Sequence, residues 1–201
     1  HFTSGQLGAD RVLKALTVGG HEETAMEMLT AEGFPSFRYM LSFGSETTWE
    51  TWGEAVLNAT PEGSEHIIRA NRPQEHCQWT AVDTWFYEYV LGIKCDPATP
   101  GYGHFTLKPY MVRQLESARG SYETPRGRIV SDWSCDEGTF EWIVEVPANA
   151  AATLFVPCDA RGAEVVEGAA GISGRSKPAD GRQRLDVGSG RYRISATLPG
   201  A

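Results

Sequence analysis

Apolar and polar positions follow two different periods along this chain, and the change between them lies near residue 100. Before it, apolar residues recur every three or four positions, which is typical of amphipathic helices. Helices are predicted at residues 10–18, 21–31, 37–43 and 74–92, with Gly19-Gly20 ending the first. After residue 100 apolar and polar residues alternate, which is typical of strands with one buried face.

The first half therefore predicts helices that pair through glycine turns, as in an array of α/α hairpins. Asp10 is predicted to cap the first helix, and Gly33 to end the second. In the helix at 74–92, one face carries the apolar residues Trp79, Val82, Phe86 and Val90. Beside it, polar residues of the same spacing form a narrow stripe: His76, Thr80, Asp83 and Tyr87. Such a stripe is expected of an inner barrel helix whose end faces a cavity, and equally of a surface helix.

The second half predicts an antiparallel β-sandwich, because short alternating runs are separated by Gly and Pro. The clearest runs place these residues on one face: Phe140, Trp142, Val144, Val146, and Tyr192, Ile194, Ala196, Leu198. Residues 162–181 predict a hairpin with a long loop. The segment Asp96-Pro97-Ala98-Thr99-Pro100-Gly101 is the strongest boundary signal. We therefore predict two domains, residues 1–100 and 101–201.

Charge and composition narrow the possible functions. The formal net charge is −8, and it lies entirely in residues 1–100, which carry 6 Lys/Arg against 14 Asp/Glu. The absence of a basic patch argues against nucleic acid and against anionic membrane surfaces as partners. No apolar run reaches transmembrane length. The four cysteines lack metal-site spacing, and we expect mostly free, buried thiols.

The stretch Ser45-Glu46-Thr47-Thr48-Trp49-Glu50-Thr51-Trp52-Gly53 is the main candidate for chemistry. It places the Glu50 carboxylate between two indoles, where the loss of water raises the cost of the charged form. Indole faces can also cover the C–H side of a sugar while the acid acts on a hydroxyl or a water. The alternative is a partly buried helix start with core tryptophans and solvated glutamates. Glu46 and Glu54 lie four residues to either side and would share the face of Glu50 on a helix. Glu46 is therefore the competing candidate for the acid, and Glu54 is expected to be solvated.

This stretch, with other segments in the same order, resembles the α-L-rhamnosidases of glycoside hydrolase family 78. The segments are His1-Phe2-Thr3-Ser4-Gly5-Gln6-Leu7-Gly8, Phe34-Pro35-Ser36-x-x-Tyr39-Met40-Leu41-x-x-Gly44, Thr47-Thr48-Trp49-Glu50-Thr51-Trp52, His76, Trp85-Phe86-Tyr87, Pro100-Gly101-Tyr102 and Ser121-Tyr122. The resemblance runs to about Pro157. Two departures lie near the expected sugar site: Glu75 stands where the family usually has Asn, and Gly53 where many members have Asp.

The resemblance implies an α+β multidomain fold, in which the last helices of an (α/α)6 barrel precede an antiparallel β-sandwich. It implies that Glu50 is the general base of an inverting hydrolysis of α-L-rhamnosides. Trp49, Trp52 and His76 would then shape the sugar pocket, with Glu46, Asp83 and His1 as secondary candidates. No metal and no cofactor are expected.

The family's general acid lies in an Asp-rich upstream segment that residues 1–201 do not match. We therefore expect a C-terminal piece that is inactive alone, with the N-terminal remainder of the same enzyme or another chain as partner. The expected substrate is an L-rhamnose-containing carbohydrate. The protein is expected to be soluble, either secreted or cytoplasmic.

Two other functions stay open at this point. A rhamnosyl-glucuronate lyase on a related (α/α)6 fold would use His76 or Tyr87 to abstract a proton. A non-catalytic carbohydrate-binding or scaffold fragment would instead use the sandwich to bind sugar.

Overall fold

The structure, a computed structural model, describes residues 1, 2, 4, 8–42, 45, 47–49 and 77–200. The chain divides into two compact units, His1–Trp85 and Phe86–Ala201. No helix in the described ranges combines the length and the apolar character needed to cross a membrane.

The first unit opens with two paired helices, α1 (Ala9–Val18) and α2 (Glu22–Thr30). The pairing is confirmed: Gly19-Gly20 turns the chain, and the His21 N–H donates to the Leu16 carbonyl at 2.8 Å. The buried side chains are Leu13 of α1 and Ala25, Met26 and Leu29 of α2. The capping prediction is wrong, because α1 begins at Ala9 with Gly8 at the N-cap. Asp10 therefore lies inside the first turn.

The third helix, α3 (Phe37–Ser42), is capped by a serine. The Tyr39 N–H donates to Ser36 Oγ at 3.0 Å, and Ser36 Oγ donates to the Gly33 carbonyl at 2.6 Å. A hydroxyl that accepts from the first turn satisfies a donor that the helix leaves unpaired. The predicted helix at 37–43 is thus confirmed, and Gly33 belongs to the loop that leads into it.

The continuous helix predicted for 74–92 is wrong over its described part. Two short helices, α4 (Cys77–Thr80) and α5 (Asp83–Trp85), are separated by a turn in which the Val82 N–H donates to the Trp79 carbonyl. A π-helical turn, Phe86–Val90, follows and ends with the Leu91 N–H donating to the Phe86 carbonyl at 2.8 Å. Each change of hydrogen-bond spacing rotates the side chains about the axis. As a result Trp85 and Tyr89 are buried, whereas Phe86 is 39% exposed.

The second unit consists of two five-stranded sheets. The first has the order β1-β2-β6-β9-β8 and the second β3-β4-β5-β10-β7. The strands are β1 (Ile93–Cys95), β2 (His104–Leu107), β3 (Ser117–Thr124), β4 (Gly127–Asp136), β5 (Thr139–Val146), β6 (Ala151–Pro157), β7 (Ala163–Glu167), β8 (Ile172–Arg175), β9 (Arg182–Val187) and β10 (Gly190–Thr197). All neighbouring strands are antiparallel except β2 and β6, which are parallel. This is the sandwich-like architecture that the alternation predicted, with one parallel pair.

The predicted inward faces of two strands are confirmed. Phe140, Trp142 and Val144 of β5 and Ile194 of β10 have no exposed surface. These strands pair in register, with Ile194 opposite Trp142. From the first sheet, Phe105, Leu107, Leu154 and Leu185 are equally buried. Alternate residues of both sheets therefore form one apolar core.

Two other predictions about this unit differ from the structure. The sandwich begins before the predicted boundary at residue 100, because β1 pairs with β2 through Lys94 and Thr106. The segment Asp96–Gly101 is thus a turn inside the unit. Residues 162–181 are not a hairpin, because β7 pairs with β10 in the second sheet and β8 with β9 in the first. Gly168, with φ of +87°, and the short 3-10 helix Ala169–Gly171 carry the chain between the sheets.

The segment that leads into β1 is fixed by the sandwich. The Lys108 N–H donates to the Gly92 carbonyl at 3.0 Å, and Gly92 has φ of +79°. The indole N–H of Trp133 donates to the Val90 carbonyl at 2.9 Å, and Ser131 Oγ donates to the Leu91 carbonyl at 2.8 Å. These side chains satisfy buried carbonyls at the end of a helical turn, which would otherwise cost free energy.

Gly92 is predicted to tolerate no side chain. A Cβ at this position would overlap the backbone of Lys108 and Pro109, and the positive φ adds strain. Gly101 is the matched control, because its φ is +77° and none of the described atoms lies within 4 Å of the added Cβ. We expect Gly101→Ala to lower the free energy of unfolding by about 1–2 kcal/mol and Gly92→Ala to cost about 1–3 kcal/mol more. Urea denaturation followed by β-sheet circular dichroism measures both, and equal losses would contradict the close approach.

Asp96 is predicted to make stability depend on pH. The Ala98 N–H and the His104 ring, each 2.9 Å from its carboxylate, hold the pKa of Asp96 below its usual value. Because the pKa is lowered in the folded state, the stabilisation is complete above the unfolded-state pKa of about 3.9. It is lost as the pH falls through the folded-state pKa.

We expect Asp96→Asn to remove part of this loss between neutral and acidic pH, measured by urea denaturation across that range. Part of this loss of stability is expected to remain in the variant, because Arg161 lowers the pKa of Asp159 in the same way. Asp136→Asn is the control, because Asp136 is exposed and forms no ion pair with another described residue. An Asp96→Asn chain with the same pH dependence as the unsubstituted chain would contradict the prediction.

Candidate active site

Only some of the predicted site residues lie in the described part of the chain. Glu50, Trp52, His76 and Glu46 lie outside the described residues. Trp49, Asp83 and His1 lie inside them, together with Thr47 and Thr48. Within the candidate stretch, the structure therefore describes the contacts of residues 45 and 47–49.

Trp49 is a buried residue in this chain, with 2% of its surface exposed. The Tyr39 ring meets it edge-on, with ring centroids 6.2 Å apart. Tyr39 in turn meets Phe34 edge-on at 5.4 Å. Because α3 is capped by Ser36, the position of Tyr39 is set by local hydrogen bonds. This burial favours the core alternative for Trp49, since little of the indole is left to contact a sugar.

Thr48 connects this stretch to α4. Its Oγ1 lies 2.8 Å from Thr80 Oγ1, within hydrogen-bond distance. Upstream, Ser45 Oγ donates to the Thr47 carbonyl at 2.6 Å and forms a local turn. The chain is thus fixed on one side by an indole in the core and on the other by a hydroxyl pair. The residue after Trp49 is Glu50.

Among its described residues, the first unit contains two sets of edge-on aromatic pairs, and Phe34, Tyr39 and Trp49 form one of them. Phe37 meets Phe2 at 5.3 Å and Trp79 at 6.2 Å, both edge-on. We call the set that contains Trp49, namely Phe34, Tyr39 and Trp49, the aromatic cluster. Edge-to-face pairs stabilise beyond the area they bury and hold the rings in defined positions. The cluster therefore holds the Trp49 indole among aromatic rings.

His1 and Asp83 lie at the surface. His1 is exposed, and its Nδ1 lies 3.4 Å from the Pro35 carbonyl. Asp83 is exposed at the start of α5 and forms no hydrogen bond or ion pair with another described residue. Over the described ranges, no three His, Cys, Asp or Glu side chains come together as metal ligands would. The thiols of Cys95, Cys135 and Cys158 are free, and among these three only Cys158 is buried.

Sequence reasoning did not assign Tyr39 and Thr48 a part in this site. Both lie in the segments that carry the family resemblance, so the motif itself was the available signal. Their partners, Trp49 and Thr80, are 10 and 32 positions away. Contacts at such separations cannot be read from periodicity within one element.

Two family models match the chain. Residues 1–90 match the bacterial α-L-rhamnosidase six-hairpin glycosidase domain, and residues 92–171 match the bacterial α-L-rhamnosidase C-terminal domain. The chain belongs to the bacterial α-L-rhamnosidase family. The division between the models falls in the segment that leads into β1, close to where the structure divides into units.

Individual relatives agree with this assignment. An α-L-rhamnosidase of Streptomyces avermitilis is 30% identical over 195 residues, which cover 97% of this chain and 18% of the relative. An α-L-rhamnosidase of Alteromonas sp. (strain LOR) is 32% identical over 78% of this chain and 16% of the relative. The chain thus spans less than a fifth of the length of these rhamnosidases.

A solved structure shows the same fold. It is the Streptomyces avermitilis α-L-rhamnosidase complexed with L-rhamnose, which superposes with a TM-score of 0.80 at 28% identity. The superposition covers 98% of this chain and 18% of that protein. Both units of this chain therefore have counterparts in the structure of a rhamnosidase complexed with L-rhamnose.

The core position of Trp49 yields a prediction. Removing a buried indole costs about 3–5 kcal/mol, so we expect Trp49→Ala to lower the free energy of unfolding of the first unit by that amount. Val18→Ala is the control, because Val18 is 68% exposed and such changes stay within about 0.5 kcal/mol. Urea denaturation followed by the helical circular-dichroism signal distinguishes them. If Trp49→Ala behaves like Val18→Ala, the indole is not part of the core and its role as a sugar-contacting wall is restored.

Proposed function

We propose that this chain is the C-terminal part of an inverting α-L-rhamnosidase, in which Glu50 acts as general base. The observation that carries the proposal is the superposition of 98% of the chain on a rhamnosidase complexed with L-rhamnose. In this proposal the first unit holds the last helices of an (α/α)6 barrel. The substrate is an L-rhamnose-containing carbohydrate.

The chemistry requires two carboxyl groups on opposite faces of the sugar. One protonates the leaving oxygen, and the other activates a water roughly 6.5–9.5 Å away from the first. Glu50 takes the second role in the proposal. In the proposal the general acid comes from outside these 201 residues, because the family's Asp-rich acid segment has no match in them.

The described contacts support this assignment through the chain that precedes Glu50. A general base must be held within hydrogen-bond distance of its water, and small displacements cost rate steeply. The burial of Trp49 and the Thr48–Thr80 contact supply a fixed support up to residue 49. We therefore assign Trp49 to support, and Trp52 and His76 to contact with the sugar. Glu46 is the alternative base, and Asp83 and His1 are secondary.

Two apolar side chains of the first unit are exposed, as expected if another part of the enzyme or another chain covers them. Val18 is 68% exposed and Leu41 65%. In the proposal these side chains are covered by the N-terminal remainder of the same enzyme or by another chain. Hydroxyl-radical footprinting of both residues checks this: they are protected in the complete enzyme and reactive in the 201-residue chain. Equal reactivity in both would contradict the covering.

Glu50→Gln in the complete enzyme tests the base assignment. The amide keeps the size of the side chain but cannot accept the proton of the water. We expect kcat on an aryl α-L-rhamnoside to fall about 10²–10⁴-fold, with the thermal unfolding temperature unchanged.

Glu46→Gln and Glu54→Gln are the matched controls, since they change the same group four residues to either side. Both are expected to retain kcat within a few-fold. A loss in Glu46→Gln instead of Glu50→Gln would transfer the base role to Glu46. If all three enzymes keep their activity, this stretch does not provide the base.

A further inference from the structure

A second candidate site lies on the outer face of the first sheet. A cleft of about 390 Å³ is lined by residues that include Lys94, Thr106, Lys108 and Tyr110. Lys94 pairs with Thr106 across β1 and β2, and Lys108 follows two residues after Thr106. Since side chains alternate along strands, these three residues point to the same side. The volume lies in the range of ligand pockets, which is about 300–1,000 Å³.

The two lysines bring two positive charges to one cleft. Lys94 Nζ lies 3.8 Å from the centre of the Tyr89 ring. Lys108 Nζ lies 5.2 Å from the Tyr110 ring and 5.7 Å from the Phe155 ring. Neither ammonium forms an ion pair with a carboxylate of the described residues. A bound carboxylate could therefore accept hydrogen bonds from either ammonium group.

The aromatic residue that lines the cleft, Tyr110, is held in place by its backbone. The Tyr110 N–H donates to the Tyr89 carbonyl at 2.8 Å, and the two rings lie 5.5 Å apart. The Arg182 guanidinium lies 5.4 Å from the Tyr110 ring and donates to the Pro109 carbonyl at 2.8 Å. A preformed cleft loses little conformational entropy when a ligand binds. Aromatic faces of this kind suit the C–H side of a sugar ring.

The cleft also contains acceptors for hydroxyl groups. Glu88 and Asp96 contribute to its lining, and the Asp96 carboxylate is already bonded by the Ala98 N–H and His104. Two carboxylates beside two ammonium groups disfavour a polyanion of high charge density. They favour a ligand that has one negative group and several hydroxyls.

We propose that this cleft binds a uronic acid residue of an acidic carbohydrate. Lys94 and Lys108 bind the carboxylate, Tyr110 packs against the sugar ring, and Thr106 and the acidic side chains bind hydroxyls. All the residues that line the cleft belong to the second unit, and the proposal does not depend on the proposed rhamnosidase activity. It would hold the acidic part of a polysaccharide on the sandwich.

Titration of the 201-residue chain with digalacturonate tests the proposal, with amide chemical shifts as the readout. The dimethyl ester of the same disaccharide is the matched ligand, because it keeps the sugar rings and their hydroxyls and replaces both carboxylates by uncharged methyl esters. We expect digalacturonate to shift the amides of Lys94, Thr106 and Lys108, and the ester to bind at least tenfold more weakly. Added salt is expected to weaken digalacturonate binding, because salt screens exposed charges.

Lys94→Met and Lys108→Met keep the aliphatic stem and remove the charge. Each is expected to weaken digalacturonate binding about tenfold or more, as for loss of a charged hydrogen bond. Lys177→Met is the control, since Lys177 is exposed and does not line the cleft. Glu50→Gln is expected to leave this binding unchanged, which separates the two proposals.

Four results would overturn the proposal. They are equal binding of the ester, full affinity in both lysine variants, amide shifts confined to residues outside the cleft, and no binding of digalacturonate. A sulfated galactose disaccharide distinguishes the two anions that sugars carry. If it binds as tightly as digalacturonate, the cleft recognises negative charge on a sugar rather than a uronate, and the assignment to uronic acid is wrong.

Discussion

The burial of Trp49 under Tyr39 is the constraint on which the account of the active site depends. An indole with 2% of its surface exposed cannot turn without disturbing the aromatic cluster. The Thr48–Thr80 contact at 2.8 Å holds the same stretch from α4. Glu50 follows Trp49 directly in the chain, so the proposed base is attached to a fixed support. In the proposal, core packing and catalytic positioning are thus served by neighbouring residues, Trp49 and Glu50.

In the second unit, hydrogen bonds rather than aromatic packing hold the segment that leads into β1. Trp133 and Ser131 of β4 donate to the Val90 and Leu91 carbonyls, and Gly92 approaches the backbone of Lys108 and Pro109. These contacts fix the start of β1, which is an edge strand of the first sheet. Lys94 on that strand is thereby held beside Thr106 of β2. The proposed carbohydrate cleft depends on this alignment.

Elements with an uninterrupted period could be predicted from the sequence, and those whose hydrogen-bond spacing changes could not. The faces of β5 and β10 and the helices α1 to α3 followed from local patterns. The break at Val82 and the π-helical turn did not, because the apolar residues around them fit one continuous helix equally well. The separation of β7 and β8 into different sheets depends on their partners: β8 pairs with β9, the next strand, whereas β7 pairs with β10, which lies beyond both in the sequence. The role of Glu50 came from resemblance, since indoles flanking an acid also occur in plain cores.

The measurement that tests the base assignment most directly is azide rescue of Glu50→Ala in the complete enzyme. Azide is an anionic nucleophile and needs no base to attack the sugar, so it replaces the activated water. The account predicts that azide restores turnover of an α-L-rhamnoside and that the product is β-L-rhamnosyl azide, with inverted configuration by NMR. A variant that stays inactive in azide, or that yields the α-azide, would contradict the role of Glu50 as the base of an inverting reaction.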